Sequence, residues 1–94
     1  MEIKGQKVSG LTQVFADIAK LPDQASRTKF LFRHRYLFRP EVVEQMAEAV
    51  VRQFARVDTR QAFGLADAAV AIATKIGNKE ALARGLRAKA NALG

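Results

Sequence analysis

Cysteine is absent from the 94 residues, which excludes disulfides and thiolate metal sites and fits, without requiring, an intracellular location. Only two prolines and six glycines punctuate the chain, and no run of alternating β-branched residues occurs, so strands are disfavoured. No stretch approaches the roughly 18 apolar residues that span a bilayer. Residues 1–7 lack the apolar segment of a secretory leader. The expected location is the cytoplasm. Glycine-rich phosphate loops, a Ser-His-Asp set and metal-ligand spacings are also missing, so the sequence predicts a non-enzyme with no cofactor.

What remains is a helix-forming, basic composition. Hydrophobic residues supply 49% and charged residues 27%, a globular balance rather than a disordered one. The length allows one modest core. Lysine and arginine number 16 against 9 acids, a net charge of +7. Such a balance suits nucleic acid, an anionic membrane or an acidic protein, and a section of a larger protein can also inherit it.

Apolar spacing predicts an all-α fold of about five helices stacked as antiparallel hairpins. In the first, Leu11, Val14, Phe15, Ile18 and Leu21 share one face, with Ser9 as cap and residues 1–8 as a flexible lead. Pro22 forces an exit at Leu21, and Asp23 can cap a second helix from Gln24 to about Arg33. Leu37 and Phe38 are expected to plug the core from a connection that ends at Pro40, which suits the first turn of the third helix. That helix, Glu41 to about Val57, carries Val43, Met46, Ala47, Val50, Phe54 and Val57 on one face. Arg56 suits its last turn, and Glu48 with Arg52 forms an i,i+4 pair on its outer side.

Asp58 and Gln61 resemble a capping box for the fourth helix, whose stripe is Ala62, Leu65, Ala66, Ala69, Ile72, Ala73 and Ile76. Its small residues predict close neighbours on both sides. Gly77 suits the residue after that helix, and Asn78 can cap the fifth. The fifth helix reads Leu82, Leu86, Ala90 and Leu93 as its stripe, with Gly85 inside at a cost of up to about 1 kcal/mol, the mark of a tight crossing if it is not neutral. Nothing in the sequence pairs with this last stripe. The expectation is therefore a truncated array, completed by further repeats of the same polypeptide or by a homodimer through the C-terminal helix.

Two stretches carry candidate function. Residues 27–39 hold five cations, four of the seven aromatics and no acid. Basic residues interleaved with rings can hold phosphates and stack bases, which makes a nucleic-acid-binding module through Arg33, Arg35 and Arg39 one reading. A second is contact with an anionic protein surface, and a third has Phe30, Leu31, Leu37 and Phe38 in the core and the arginines on a solvated rim. His34, with no carboxylate within six residues, is a poor metal or base candidate and reads as bonded to backbone. Glu41, Glu44 and Glu48 read as a solvated face. Leu82, Leu86, Lys89 and Leu93 are the candidate partner contacts of the last helix.

The fourth and fifth helices resemble the tetratricopeptide repeat family. Ala62, Ala66 and Ala69 match its B helix, the Ile76-Gly-Asn-Lys-Glu80 turn its connection, and residues 85–93 its next A helix. The upstream residues Leu21-Pro22-Asp23, Phe30-Leu31, His34, Leu37-Phe38 and Pro40-Glu41 are similar to the entry region of bacterial multi-repeat proteins, including some that carry CHAT domains. The unit from Glu41 to Asn78 is longer than the family's usual ~34 residues. The resemblance implies a TPR-like α-α superhelix, with capping helices over 9–40 and a hairpin plus the first helix of a following repeat over 41–94. It implies a protein–protein interaction scaffold that binds through a concave surface. An autonomous small adaptor or regulator is the remaining alternative.

Overall fold

A computed structural model of the chain describes residues 2–54 and 58–93, with side-chain surroundings for 11–52 and 58–93. Among the described residues, five helices make an all-α fold and no strand occurs. They are α1 (Glu2–Lys20), α2 (Gln24–Arg33), α3 (Pro40–Ala49), α4 (Thr59–Ile76) and α5 (Lys79–Leu93). A 3-10 turn over Arg35–Leu37 separates α2 from α3, and α3 runs on into a π-helical turn over Val50–Phe54. α4 is the central element, touched by α1, α2, α3 and α5, while α5 also packs on α3.

Most boundaries follow from capping chemistry. The Asp23 carboxylate accepts the Ser26 amide at 2.8 Å, and this bond, with Arg27 and Lys29 nearby, holds its pKa below the ordinary value. Pro40 occupies the first turn of α3, as its missing amide allows. Asp58 caps α4 by accepting the amides of Arg60 and Gln61 at 2.9 and 3.2 Å. Gly77 ends α4 in the left-handed region at φ 69°, and the amides of Gly77 and Asn78 return to Thr74 and Ala73 in a Schellman closure. Asn78 then caps α5 through the Ala81 amide at 2.9 Å.

Two expectations change. α1 begins at Glu2, so Ser9 lies within the helix and not at its cap. The third helix does not continue evenly: its end winds as a π turn, in which Val50 is buried as its stripe expects and Val51 is exposed. Arg56 and Val57 lie outside the described residues.

The core follows the stripes. Ile18 of α1, Val43 and Met46 of α3, and Leu65 and Ile72 of α4 are fully buried, and Leu37 enters from the 3-10 turn. The alanines of α4 are buried on the sides facing its neighbours, as its small-residue stripe predicts. α5 departs from its leucine stripe. It packs through Ala81, Gly85, Ala88 and Ala92, while Leu82 is half-buried and Leu86, Ala90 and Leu93 are exposed. A Cβ on Gly85 would stand 3.2 Å from the Val70 amide nitrogen and 3.3 Å from its Cα. Backbone contact at this distance explains the glycine: it sits at a tight α4–α5 crossing.

Candidate interaction surfaces

An ionic link ties three helices. Arg27 Nη2 of α2 donates to Asp67 Oδ2 of α4 at 3.2 Å, and Lys89 Nζ of α5 donates to Asp67 Oδ1 at 3.1 Å. The Arg27 and Asp67 side chains retain 10% and 12% of their exposure, so the pair is nearly desolvated. Gly64 makes room for it, since a Cβ there would stand 3.2 Å from Arg27 Nη1. Nε of Arg27 is buried without a hydrogen-bond partner among the described residues. Lys89 also lies 5.3 Å from the centre of the Phe63 ring.

This arrangement revises two sequence readings. Arg27 is a buried structural residue and not part of a solvated rim. Lys89, read as a partner contact, is engaged internally with Asp67 and Phe63. The signal for Arg27 was available, because it precedes buried Leu31 by four residues and so shares its helix face.

The rest of the basic–aromatic stretch divides between two places. Arg35 borders a cleft with Phe32, Phe38, Lys75 and Ile76. Arg39 borders another with Tyr36, Leu11, Val14 and Val42, between α1 and α3. Arg33 is exposed. The three arginines therefore do not converge on a single groove. His34 Nδ1 lies 2.8 Å from the Phe30 carbonyl oxygen, which can only accept, so Nδ1 carries the proton. Its ring stacks on Phe30 with centroids 4.1 Å apart. This matches the backbone-bonded reading.

A shallow groove of about 250 Å3 runs between α3 and α5. Ala47, Val51 and Ala88 supply its apolar surface, and Glu44, Arg84 and Arg87 its charges. Arg84 Nη1 pairs with Glu44 Oε2 across the groove at 3.4 Å, with both side chains about half exposed. Glu41, Glu44 and Glu48 are all exposed, as the solvated-face reading expects, and Glu44 in addition makes an inter-helix contact. Glu48 and Arg52, exposed as expected, also border this groove.

Leu86 and Leu93 are 49% and 70% exposed on α5, one heptad apart. Half-buried Leu82 lies one turn before Leu86. Among the described residues, no cluster of His, Asp or Glu could hold a metal ion, and no helix is long and apolar enough to cross a membrane. Comparisons with protein-family models, curated proteins and solved structures gave no significant match for this chain.

Proposed function

We propose that the chain is a non-catalytic protein–protein interaction scaffold of TPR-like type, in which α3 and α4 form a hairpin and α5 is the first helix of the next. The carrying observation is the two-sidedness of α5. Its alanine–glycine side packs on α3 and α4, while Leu86 and Leu93 face outward and Leu82 sits half-buried at the margin of the core. In stacked hairpins each repeat leaves an apolar side for its neighbour to cover. The covering element is a further helical hairpin, from the same polypeptide or from a second copy about a two-fold axis.

The charged groups support a binding role over a catalytic one. Arg27, Asp67 and Lys89 join helices internally, and Glu44 and Arg84 tie α3 to α5. The groove between α3 and α5 is the binding face that the resemblance to this repeat family implies. Its Val51 and Ala88 offer apolar contact, and Arg84 and Arg87 offer donors.

Sedimentation velocity over a concentration series tests the outward side. Reversible self-association is expected, with loss of the larger species in Leu86→Glu and Leu93→Glu. A monomer that persists at high concentration, together with no effect of either substitution on association, removes the support from α5.

A further inference from the structure

The basic–aromatic stretch enters the core less fully than its composition implies. Leu31 and Leu37 are buried, but Phe32 is 45% exposed and Phe38 only half-buried. Their rings stack with centroids 6.0 Å apart and planes inclined by 23°. With Ile76 they form the apolar wall of a cleft of about 470 Å3. Two cations border it, Arg35 from the 3-10 turn and Lys75 from the last turn of α4. The Lys75 ammonium stands 5.6 Å from the centre of the Phe32 ring.

The charge at this cleft is one-sided. Residues 24–40 contain no carboxylate, and Lys29, Arg33, Arg35 and Lys75 are all exposed. Among the described residues, neither Arg35 nor Lys75 is ion-paired. Three cations elsewhere are ion-paired, Arg27 and Lys89 sharing Asp67 and Arg84 meeting Glu44. An apolar wall flanked by unneutralised cations complements an acidic segment with an apolar side chain.

We propose that this cleft docks an acidic peptide segment of a partner protein. An aliphatic or aromatic side chain of the peptide packs against Phe32, Phe38 and Ile76, and its carboxylates meet Arg35 and Lys75. The geometry disfavours single-stranded nucleic acid, because Phe32 and Phe38 stack on each other rather than standing apart as separate platforms for successive bases. It disfavours a membrane surface as well, since the rings wall a concavity and do not project as a helical apolar side would. No residue of the cleft belongs to α3 or α5, so it stands or falls separately from the groove between those helices.

The test is fluorescence anisotropy of the full chain with a short labelled peptide carrying glutamates around a leucine–phenylalanine pair. The comparators are the same peptide with glutamine for glutamate, the peptide with serine for its apolar pair, an oligothymidylate and phosphatidylserine vesicles. Saturable, salt-sensitive binding of the acidic peptide is expected, weakened about tenfold or more by Lys75→Glu and by Arg35→Glu. Helical circular dichroism confirms that both exposed substitutions leave the fold intact. Either altered peptide should bind about tenfold more weakly. Arg60→Glu, an exposed cation in the first turn of α4 at the end opposite Lys75, should leave the affinity unchanged. Any one of four results overturns the proposal: no saturable binding, equal affinity for the glutamine peptide, stronger binding of the oligonucleotide or vesicles, or full affinity in Lys75→Glu.

Discussion

Asp67 of α4 holds Arg27 of α2 at 3.2 Å across forty residues of sequence, in surroundings that leave each side chain little more than a tenth of its exposure. Removing one member of a buried pair strands the other as an uncompensated charge, at a cost of about 3–5 kcal/mol. Here the two members are not equivalent. Asp67 also receives Lys89, whereas Arg27 has Asp67 as its one carboxylate among the described residues.

Asp67→Asn should therefore destabilise the chain by about 3 kcal/mol, because Arg27 stays buried and cationic. Arg27→Met should cost clearly less, since it leaves Asp67 with Lys89 and removes the unsatisfied Nε. Urea denaturation followed by circular dichroism measures both. An Arg27→Met variant as unstable as Asp67→Asn would mean that a stranded Arg27 charge is not what makes the loss of Asp67 costly.

Gly85 gives a second test, in which two effects oppose. Alanine within a helix is worth about 1 kcal/mol over glycine. The new Cβ, however, would meet Val70 N and Cα at 3.2 and 3.3 Å, and backbone atoms give way less easily than a flexible side chain. Overpacking of this kind costs about 1–3 kcal/mol, so Gly85→Ala should lower the melting temperature. Val70→Ala in the same chain should restore little, because only one of the three closest atoms belongs to the Val70 side chain. A raised melting temperature in Gly85→Ala would show that the crossing is not tight.

Asp23 sets an acid-side dependence. The Ser26 amide holds its folded pKa below the ordinary value, with the Ser26 hydroxyl, Arg27 and Lys29 acting in the same direction. A depressed folded pKa gives stability that is fully present above the unfolded value and is lost as pH falls through the folded one. Asp23→Asn keeps a cap acceptor and removes the titration. Its stability should fall less steeply than that of the parent below the ordinary pKa of aspartate, as urea midpoints across acid pH would reveal. Parallel curves for the two proteins would remove this assignment.

The helix ends were legible because their signals are local. Asp23, Asp58, Gly77 and Asn78 each act on amides or carbonyls within a few residues, and each does so in the structure. The start of α1 was not legible from Ser9, because Gly5, Val8 and Gly10 are poor helix formers that set residues before Leu11 apart, yet the helix runs through them. The π turn was hidden because the apolar spacing through Val43, Met46 and Val50 is that of an ordinary helix. Asp67 escaped notice because its partners lie forty and twenty-two residues away. The cleft at Phe32 needs Lys75 and Ile76 from α4, which no local pattern in residues 27–39 supplies.

The packed side of α5 is the most instructive divergence, and it yields the last prediction. Ranking by hydrophobicity selects Leu82, Leu86 and Leu93, yet the helix approaches α4 through Ala81, Gly85, Ala88 and Ala92. Closeness of backbones, rather than apolar bulk, decides that side: large side chains would hold the axes apart and leave Gly85 without its contact at Val70. Substitutions on the two sides should therefore differ in the reverse of the order that hydrophobicity suggests. Ala88→Leu adds volume at a site only 2% exposed and should cost about 1–3 kcal/mol. Leu86→Gln, at a half-exposed site, should change the stability of the dissociated chain by no more than about 0.5 kcal/mol. Chemical denaturation at dilute protein concentration separates this folding effect from association. A large loss in Leu86→Gln under those conditions, with Ala88→Leu tolerated, would place the leucine side against the core.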